Sequence, residues 1–159
     1  MRRAIGYIRT ENENFVEKEK AINKFAEENN LIVENIYFEQ SGCEIDEISK
    51  LNEISEEYKN IILLVNDISD IFESSEHIIL AMRLWEKGIL VIDTSYPAFR
   101  YENIIKEVCN NPDDFLRAKA YIIVKTYLRK ISDKEYCGNF DLMDRIFNWE
   151  KEREETNND

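Results

Sequence analysis

The stretch Ile61-Ile62-Leu63-Leu64-Val65-Asn66-Asp67 decides the fold of this chain. Its apolar residues run without interruption and end at an amide and a carboxylate. Such a run is typical of a strand buried on both faces, because a strand with one solvated face alternates apolar and polar residues. The stretch therefore predicts the central strand of an α/β sheet. Asp67 falls at the carboxyl end of that strand, where ligand sites of α/β proteins gather.

On both sides of residues 61–65, short apolar runs alternate with segments of helical period, which is the pattern of βα units around a mostly parallel sheet. Three further strands are predicted over residues 4–9, 31–38 and 89–92. Amphipathic helices are predicted over residues 14–29, over residues 45–58, and from 74 or 75 up to Gly88. The third helix is expected to bury Ile78, Met82 and Trp85, and Gly88 to end it in a left-handed conformation.

The carboxyl-terminal part of the chain is predicted to be helical. A short helix covers residues 101–108, and Pro112 opens a long one over residues 112–136, at a position that favours proline. The apolar face of the long helix is wider than one sheet contact needs, so it is either a dimerisation surface or buried within the chain. Another short helix docks back around residues 142–147, and the charged tail from about Glu150 is expected to fray.

The domain organisation follows from these elements. We predict an α/β domain over residues 1–111, the long helix over residues 112–136 as a dimerisation element, and a short helix with a frayed acidic tail over residues 137–159. One compact domain is expected, because 159 residues with 43% hydrophobic content suffice for one buried core.

Charge and hydropathy restrict the partners. A formal net charge of -12 repels phosphate polyanions and acidic membrane surfaces, so nucleic acid is expected to bind weakly or indirectly, at a locally basic patch. No apolar run approaches the roughly 18 residues of a membrane span. These features predict a cytoplasmic protein without membrane contact.

Metal and cofactor sites are not predicted. Cys43, Cys109 and Cys137 show none of the close spacings of zinc or redox motifs, which favours free thiols in a reducing cytosol. Four glycines leave no glycine-rich loop for a nucleotide phosphate. Trp85 and Trp149 fall on apolar helical faces, where packing is expected rather than stacking on a ligand.

Three motifs carry a resemblance to a known family. Gly6-Tyr7-Ile8-Arg9 resembles the start of the catalytic domain of the serine recombinases, the resolvase and invertase family, in which the first strand ends in Tyr-x-Arg and presents a serine nucleophile just beyond. Glu39-Gln40-Ser41-Gly42 is similar to the family's acid followed by Ser-Gly. Asn66-Asp67 stands where the family has Leu-Asp, at the head of an Asp-Arg-Leu-x-Arg segment.

The resemblance covers about residues 3–134 and places the helix from Pro112 where the family has its dimerisation and DNA-contacting helix. It implies a three-layer resolvase-like α/β domain. In such a domain a central, mostly parallel sheet of about four strands is flanked by helices and followed by a long C-terminal helix.

The family's catalytic pocket maps onto Arg9, Thr10, Glu11, Ser41 and Asp67. An alignment with the family without gaps places Glu11 at the position of the nucleophile, where its carboxylate would repel a phosphate. A small gap in that alignment would instead place Thr10 there, which keeps a hydroxyl on a stiffer, β-branched side chain. Arg9 is either a phosphate ligand or a surface ion-pairing residue, and Asp67 either a relic acid or a helix cap. Ser41 is better explained as a turn residue.

The family's arginines are missing. After Asp67 the chain reads Ile68-Ser69-Asp70-Ile71, so isoleucines replace two of them, and the third position falls among residues 46–48, none of which is cationic. One preorganised charge contact typically contributes about 3 kcal/mol of transition-state stabilisation. The loss of three such charge contacts predicts that strand exchange is abolished.

The long helix carries the basic residues that remain as candidates for DNA or partner contacts: Arg117, Lys125, Arg129 and Lys130. This patch predicts only weak, salt-sensitive DNA contact. The acidic segment after Lys134 leaves little room for the DNA-binding domain that follows the long helix in the family.

We therefore expect a catalytically inactive resolvase-like protein, a pseudoenzyme that associates with itself or with an active recombinase through its long helix. The first alternative is a minimal active strand-exchange enzyme that uses Thr10 or a serine. The second is a flavodoxin-like or receiver-like binding domain unrelated to recombination, which strand order and the place of the long helix should distinguish. The Asn, Ile, Lys and Glu bias is typical of an AT-rich bacterial or mobile-element source.

Overall fold

The chain forms an α/β domain built on a parallel sheet, as a computed structural model shows. The structure describes residues 1–10, 15–40, 49–71, 75–97, 100, 102, 105 and 141–157. Its four strands are β1 (Arg2–Thr10), β2 (Leu31–Gln40), β3 (Ile62–Val65) and β4 (Leu90–Asp93), in the order β2-β1-β3-β4. All neighbouring strands pair in parallel, which confirms the predicted fold class.

The strand predicted to be central is central. β3 lies between β1 and β4, and all of its residues are buried, as the continuous apolar run requires. The register places Tyr7 of β1 opposite Tyr37 of β2 and Val65 of β3. Arg9 lies opposite Glu39 at the carboxyl end of the same pair of strands.

Within the described residues, four helices flank the sheet: α1 (Phe15–Glu28), α2 (Ser49–Glu57), α3 (Ser75–Glu86) and α4 (Leu142–Asn157). A short 3-10 helix, Ile68–Ile71, follows β3. Glu102 and Ile105 are also helical, within the segment predicted as a short helix.

Two apolar layers pack on opposite faces of the sheet. On one face, α2 and α3 cover Ile5, Tyr7, Leu63, Val65 and Val91. On the other, α1 and α4 cover Ala4, Ile8, Ile62, Leu64, Leu90 and Ile92. Because helices lie on both faces, the domain has three layers, as expected of parallel sheets.

Two helices depart from their predicted form. The deepest residues of α3 are Leu80, Ala81 and Leu84, whereas Met82 and Trp85 lie at the margin of the core. The buried face of α3 is thus rotated from the predicted one. The side chain of Ile78 lies outside the described residues.

The helix α4 is longer than predicted. It docks back on the sheet, as expected, but it continues to Asn157, past the point at which fraying was predicted. Contacts beyond Glu150 explain the difference. The Arg153 guanidinium lies over the Trp149 ring, 4.0 Å from its centroid, and Arg153 Nη1 donates to the Asn60 carbonyl at 2.9 Å. The charged segment is therefore anchored by its own aromatic and hydrogen-bonding contacts.

Gly88 ends α3 in the predicted left-handed conformation, with φ of 70°. A Cβ at this position would lie 2.3 Å from Asn60 Oδ1. Asn60, which precedes β3, is itself left-handed, with φ of 56°. The turns that lead into β3 and β4 thus meet at the amino edge of the sheet.

The strand order does not distinguish a resolvase-like from a flavodoxin-like domain, because β2-β1-β3-β4 is also how the flavodoxin-like order begins. The expectation that strand order would distinguish the two kinds of domain was wrong.

The long helix predicted over residues 112–136 and all three cysteines lie outside the described residues. Among those that are described, no helix is both long and apolar enough to cross a bilayer.

Candidate functional site

The carboxyl edge of the sheet holds the candidate site. Ligands of open α/β sheets bind outside the carboxyl ends of the strands, at the point where the strand order reverses. In this sheet that point lies between β1 and β3. β1 ends in Arg9 and Thr10, β2 in Glu39 and Gln40, and β3 leads into Asn66 and Asp67. The strands thus bring the sequence motifs of the resemblance to one edge.

Tyr7, Arg9 and Glu39 form a buried polar group, which we call the carboxyl-edge cluster. The Tyr7 hydroxyl donates to Glu39 Oε2 at 2.5 Å. Tyr7 and Arg9 are two residues apart on β1, so their side chains leave the same face of the strand. Burial raises the pKa of Tyr7 and the hydrogen bond to Glu39 raises it further, while a hydrogen bond with Arg9 opposes both. The Tyr7 hydroxyl therefore links the carboxylate to the guanidinium.

Glu39 also fixes the start of a helix. Its other carboxylate oxygen, Oε1, accepts a hydrogen bond from the Lys50 backbone N–H at 3.3 Å, in the first turn of α2. A carboxylate is favourable there, because the first backbone N–H groups of a helix have no partner within the helix. The acid that resembles the family's catalytic-domain motif thus has a clear structural function.

Arg9 is not a surface residue. Only 2% of it is exposed, so the interpretation as a surface ion-pairing residue is wrong. Its backbone carbonyl accepts a hydrogen bond from Lys18 Nζ at 2.8 Å, and the Lys18 carbonyl accepts one from Asn66 Nδ2 at 3.1 Å. These bonds tie α1 to the ends of β1 and β3.

Thr10 and Asp67 flank the cluster. Thr10 is the last residue of β1, lies opposite Gln40 and is 9% exposed. Asp67 is half-buried, and its backbone carbonyl accepts a hydrogen bond from the Asp70 N–H at 2.9 Å as the 3-10 helix begins. The two interpretations of its carboxylate, as a relic acid or as a helix cap, stay predictions. Glu11 and Ser41, like Arg117, Lys125, Arg129 and Lys130, lie outside the described residues.

Asp93 was missed by the sequence analysis. It ends β4 and is buried, with Oδ2 accepting a hydrogen bond from the Ile68 N–H at 2.9 Å. Its Oδ1 accepts bonds from the N–H groups of Ser95 and Tyr96 and from the Ser95 hydroxyl. The sequence signal was an aspartate followed two residues later by serine, which is typical of a turn closed by the carboxylate. These bonds make Asp93 a structural residue.

Ile68 and Ile71, at the positions where the resemblance predicts arginines, are core residues. Ile68 is 1% exposed and Ile71 is 0% exposed, and both belong to the apolar layer under α2 and α3. Burying a guanidinium there would require a paired counter-charge. Where the resemblance puts phosphate-binding charge, the chain has apolar packing.

The charges at this edge are mainly acidic within the part of the chain that the structure describes. The carboxylates are those of Glu39, Asp67, Asp70 and Asp93. The cations are Arg9, Lys18 and Lys50, and Lys50 Nζ already lies 3.3 Å from Glu53 Oε2. No group of three His, Cys, Asp or Glu side chains that could hold a metal ion occurs among the described residues.

A second buried polar contact, also missed, joins α4 to the helical residues 102 and 105. Arg145 Nη2 lies 2.9 Å from Glu102 Oε2, and Arg145 also donates to the carbonyls of Val91 and Pro97. Nothing in the spacing of Glu102 and Arg145 in the sequence indicates this pair.

Fold and site together define a three-layer parallel α/β domain with a buried Tyr-Arg-Glu cluster at the carboxyl edge of its sheet. No protein-family model matches the sequence, and no curated protein matches it.

Proposed function

We propose that this protein is a catalytically inactive relative of the serine recombinases that acts through protein association, as a regulator or partner in DNA recombination. The observation that carries the proposal is the burial of Ile68 and Ile71 in the core, at the positions of two family arginines. A phosphoryl-transfer site needs preorganised positive charge beside the reacting phosphate. Here that charge has been exchanged for packing.

The remaining arginine supports the same conclusion. Arg9 is buried and lies beside the Tyr7 hydroxyl and opposite Glu39, so neighbouring polar groups already compensate its charge. A phosphate at this edge would also meet the carboxylates of Asp67 and Asp70. Each missing charge contact costs about 3 kcal/mol of transition-state stabilisation, or a hundredfold or more in rate.

Thr10 is a poor replacement nucleophile. It is the final residue of β1 and nearly buried, and its β-branched side chain has few rotamers with which to reach a phosphorus atom. The cations near Thr10 are also engaged already, since Arg9 interacts with the Tyr7 hydroxyl and Lys18 Nζ donates to the Arg9 carbonyl at 2.8 Å.

Association, rather than chemistry, is then the role that the chain keeps. β2 is one of the two edge strands of the sheet in the described residues, and it exposes the large apolar side chains of Ile32 and Phe38. Exposed apolar groups on an edge strand favour contact with another protein. We assign the main contact to the predicted apolar face of residues 112–136, with Arg117, Lys125, Arg129 and Lys130 giving at most weak contact to DNA.

The absence of chemistry is tested with supercoiled DNA that carries serine recombinase sites. We expect no covalent protein–DNA adduct and no relaxed or recombined DNA from the full chain, while an active serine recombinase gives both. The Thr10→Ser variant, which supplies a primary hydroxyl, should be equally inactive because the cations are still missing. An adduct that disappears in Thr10→Ala would overturn the proposal.

Association is tested by light scattering of the full chain, alone and mixed with an active serine recombinase. We expect a dimer or a mixed complex, and a change in the recombinase's rate when the chain is added. Ile123→Asp, on the predicted apolar face of the long helix, should abolish the complex, whereas Lys119→Asp should not. A monomer at every concentration, with no effect on the recombinase, would contradict the association role.

A further inference from the structure

The amino edge of the sheet, opposite the carboxyl-edge cluster, contains a pocket of about 400 Å³. It forms where β3 and β4 begin, α3 ends and α4 docks. Its walls include the side chains of Lys59, Asn60, Trp85, Lys87, Trp149 and Arg153. The volume falls within the range of roughly 300–1,000 Å³ that small-molecule sites occupy.

Both tryptophans of the chain line this pocket. Trp149 is held in place, since its Nε1 donates to the Gly88 carbonyl at 3.0 Å and the Arg153 guanidinium lies over its ring. Trp85 is half-buried at the end of α3. From the sequence, both rings are expected only to pack. Both do pack, Trp149 within the core and Trp85 at its margin, and the half-buried Trp85 ring also forms part of the pocket wall.

The floor of the pocket is rigid. Asn60 and Gly88 both have positive φ, and the Asn60 N–H donates to the Lys87 carbonyl at 2.9 Å. No Cβ fits at Gly88, because Asn60 Oδ1 occupies that space. A preformed wall of this kind lowers the ordering cost of binding.

The residues that line the pocket carry an excess of one positive charge in an acidic protein. Lys59, Lys87 and Arg153 are the cations of the lining and Glu86 and Glu152 its carboxylates, in a chain whose formal net charge is -12, while Glu150 and Glu154 act on Arg153 from outside the lining.

Arg153 is the cation of the pocket that has a buried donor without a hydrogen bond among the described residues. Its Nη1 is bonded to the Asn60 carbonyl, but its Nε is buried and makes no hydrogen bond among the residues described. Burial lowers the pKa of Arg153, while Glu150 and Glu154 oppose that effect. An anion in the pocket would compensate a guanidinium that the protein leaves only partly satisfied.

We propose that this pocket binds a small planar anion, an aromatic ring that bears a carboxylate or a phosphate. The ring would stack on Trp85, since aromatic groups pair face to face with an offset or edge to face. The anionic group would lie among Lys59, Lys87 and Arg153, which supply the charge-assisted donors. This site is separate from the carboxyl-edge cluster and does not depend on the role proposed for the fold.

Because the only tryptophans of the chain line the pocket, intrinsic tryptophan fluorescence reports its occupancy. The full chain is titrated at constant ionic strength with benzoate, phenyl phosphate, benzamide, benzamidinium and acetate. We expect a saturable change with benzoate or phenyl phosphate. Benzamide and acetate, which keep only the ring or only the charge, should bind at least about tenfold more weakly, and benzamidinium should not bind.

Two variants distinguish a site from nonspecific quenching. Arg153→Gln should weaken binding of the anion about tenfold or more, because a charge-assisted contact is lost. Lys151→Gln, the matched change at an exposed residue of the same helix, should bind as the original chain does. Lys87→Gln removes a pocket charge at an exposed position and serves if Arg153→Gln fails to fold.

The proposal is overturned by any of three results. These are the absence of a saturable change with either anion, an equal response to benzamidinium, and affinities unchanged in both Arg153→Gln and Lys87→Gln. A response to phenyl phosphate alone, lost in the pocket variants, assigns the anionic group as phosphate.

Discussion

The Tyr7 hydroxyl lies 2.5 Å from Oε2 of Glu39, and both side chains are buried at the carboxyl ends of β1 and β2. The same carboxylate accepts a bond from the first turn of α2. One glutamate therefore joins the inner strand β1 to a helix on one face of the sheet. The cluster that resembles a catalytic pocket acts as a structural junction.

Tyr7→Phe should lower the free energy of unfolding by about 2 kcal/mol, because it removes the donor to a buried carboxylate and leaves the ring in place. Urea denaturation measures this change. Tyr37→Phe is the matched control, since Tyr37 lies opposite Tyr7 in β2 and its hydroxyl contacts Tyr58 and Glu57 near the surface. Its loss should be about 0.5 kcal/mol. Equal losses of unfolding free energy in the two variants would contradict a special contribution of the hydrogen bond between Tyr7 and Glu39.

Stability should fall at high pH because of Tyr7. Burial and Glu39 raise its pKa in the folded state above the ordinary value of 10.0, so above that pH the unfolded chain releases a proton that the folded chain keeps. The contribution is fully present well below pH 10 and is lost as pH rises through this value, at a rate that approaches about 1.4 kcal/mol per pH unit above about pH 11. Between pH 10 and 11, denaturation should show a loss of stability about 1 kcal/mol larger in the original chain than in Tyr7→Phe. Identical slopes would contradict the raised pKa.

Arg145→Met should destabilise the protein by about 3–5 kcal/mol, because it leaves the Glu102 carboxylate buried without its ion pair. The double variant with Glu102→Met should lose less than the sum of the two single changes. Arg3→Met, which breaks the exposed pair with Glu34, is the control and should change stability far less. Thermal and urea unfolding measure all four variants. A double variant as unstable as the sum would argue against a direct pair.

Gly88→Ala should cost more than about 1 kcal/mol, because alanine disfavours φ of 70° and its Cβ would overlap Asn60 Oδ1. Asn30→Gly is the opposite change at the turn after α1, where φ is 56°. It should leave stability unchanged or raise it slightly, since glycine adopts this conformation without strain. Unfolding curves of the two variants should therefore shift in different directions or by clearly different amounts.

Ile71→Arg tests whether an arginine at the position that the resemblance predicts is compatible with this core. The side chain of Ile71 is fully buried, so a guanidinium there should cost several kcal/mol or prevent folding. Ile71→Val should cost only about 1 kcal/mol. A stable Ile71→Arg variant would indicate that the segment can still turn a cation toward the edge of the sheet.

The sheet could be predicted from the sequence because its signals are local. Residues 61–65 are apolar without a break, and the resulting strand, Ile62–Val65, is buried throughout. Gly88 likewise correctly predicted the end of α3. Such features depend on a few neighbouring residues, and periodicity is enough to find them.

The candidate site could be predicted only in part, because it depends on how distant segments align. The motifs placed Arg9 at the end of β1, but its burial follows from the register that sets it opposite Glu39. The length of α4 was missed for the same reason, since Arg153 finds its partner at Asn60. The two-residue period of side chains shows which residues share one face of a strand. The register of a strand can be assigned only when the partner strand is known.

The position of α4 has a consequence for synthesis. Leu142, Ile146 and Trp149 close the face of the sheet that α1 covers only in part. As the chain leaves the ribosome, all four strands emerge before this helix does. Until this helix is made, the apolar surface that it covers stays exposed in the nascent protein, which is open during that interval to chaperones and to aggregation.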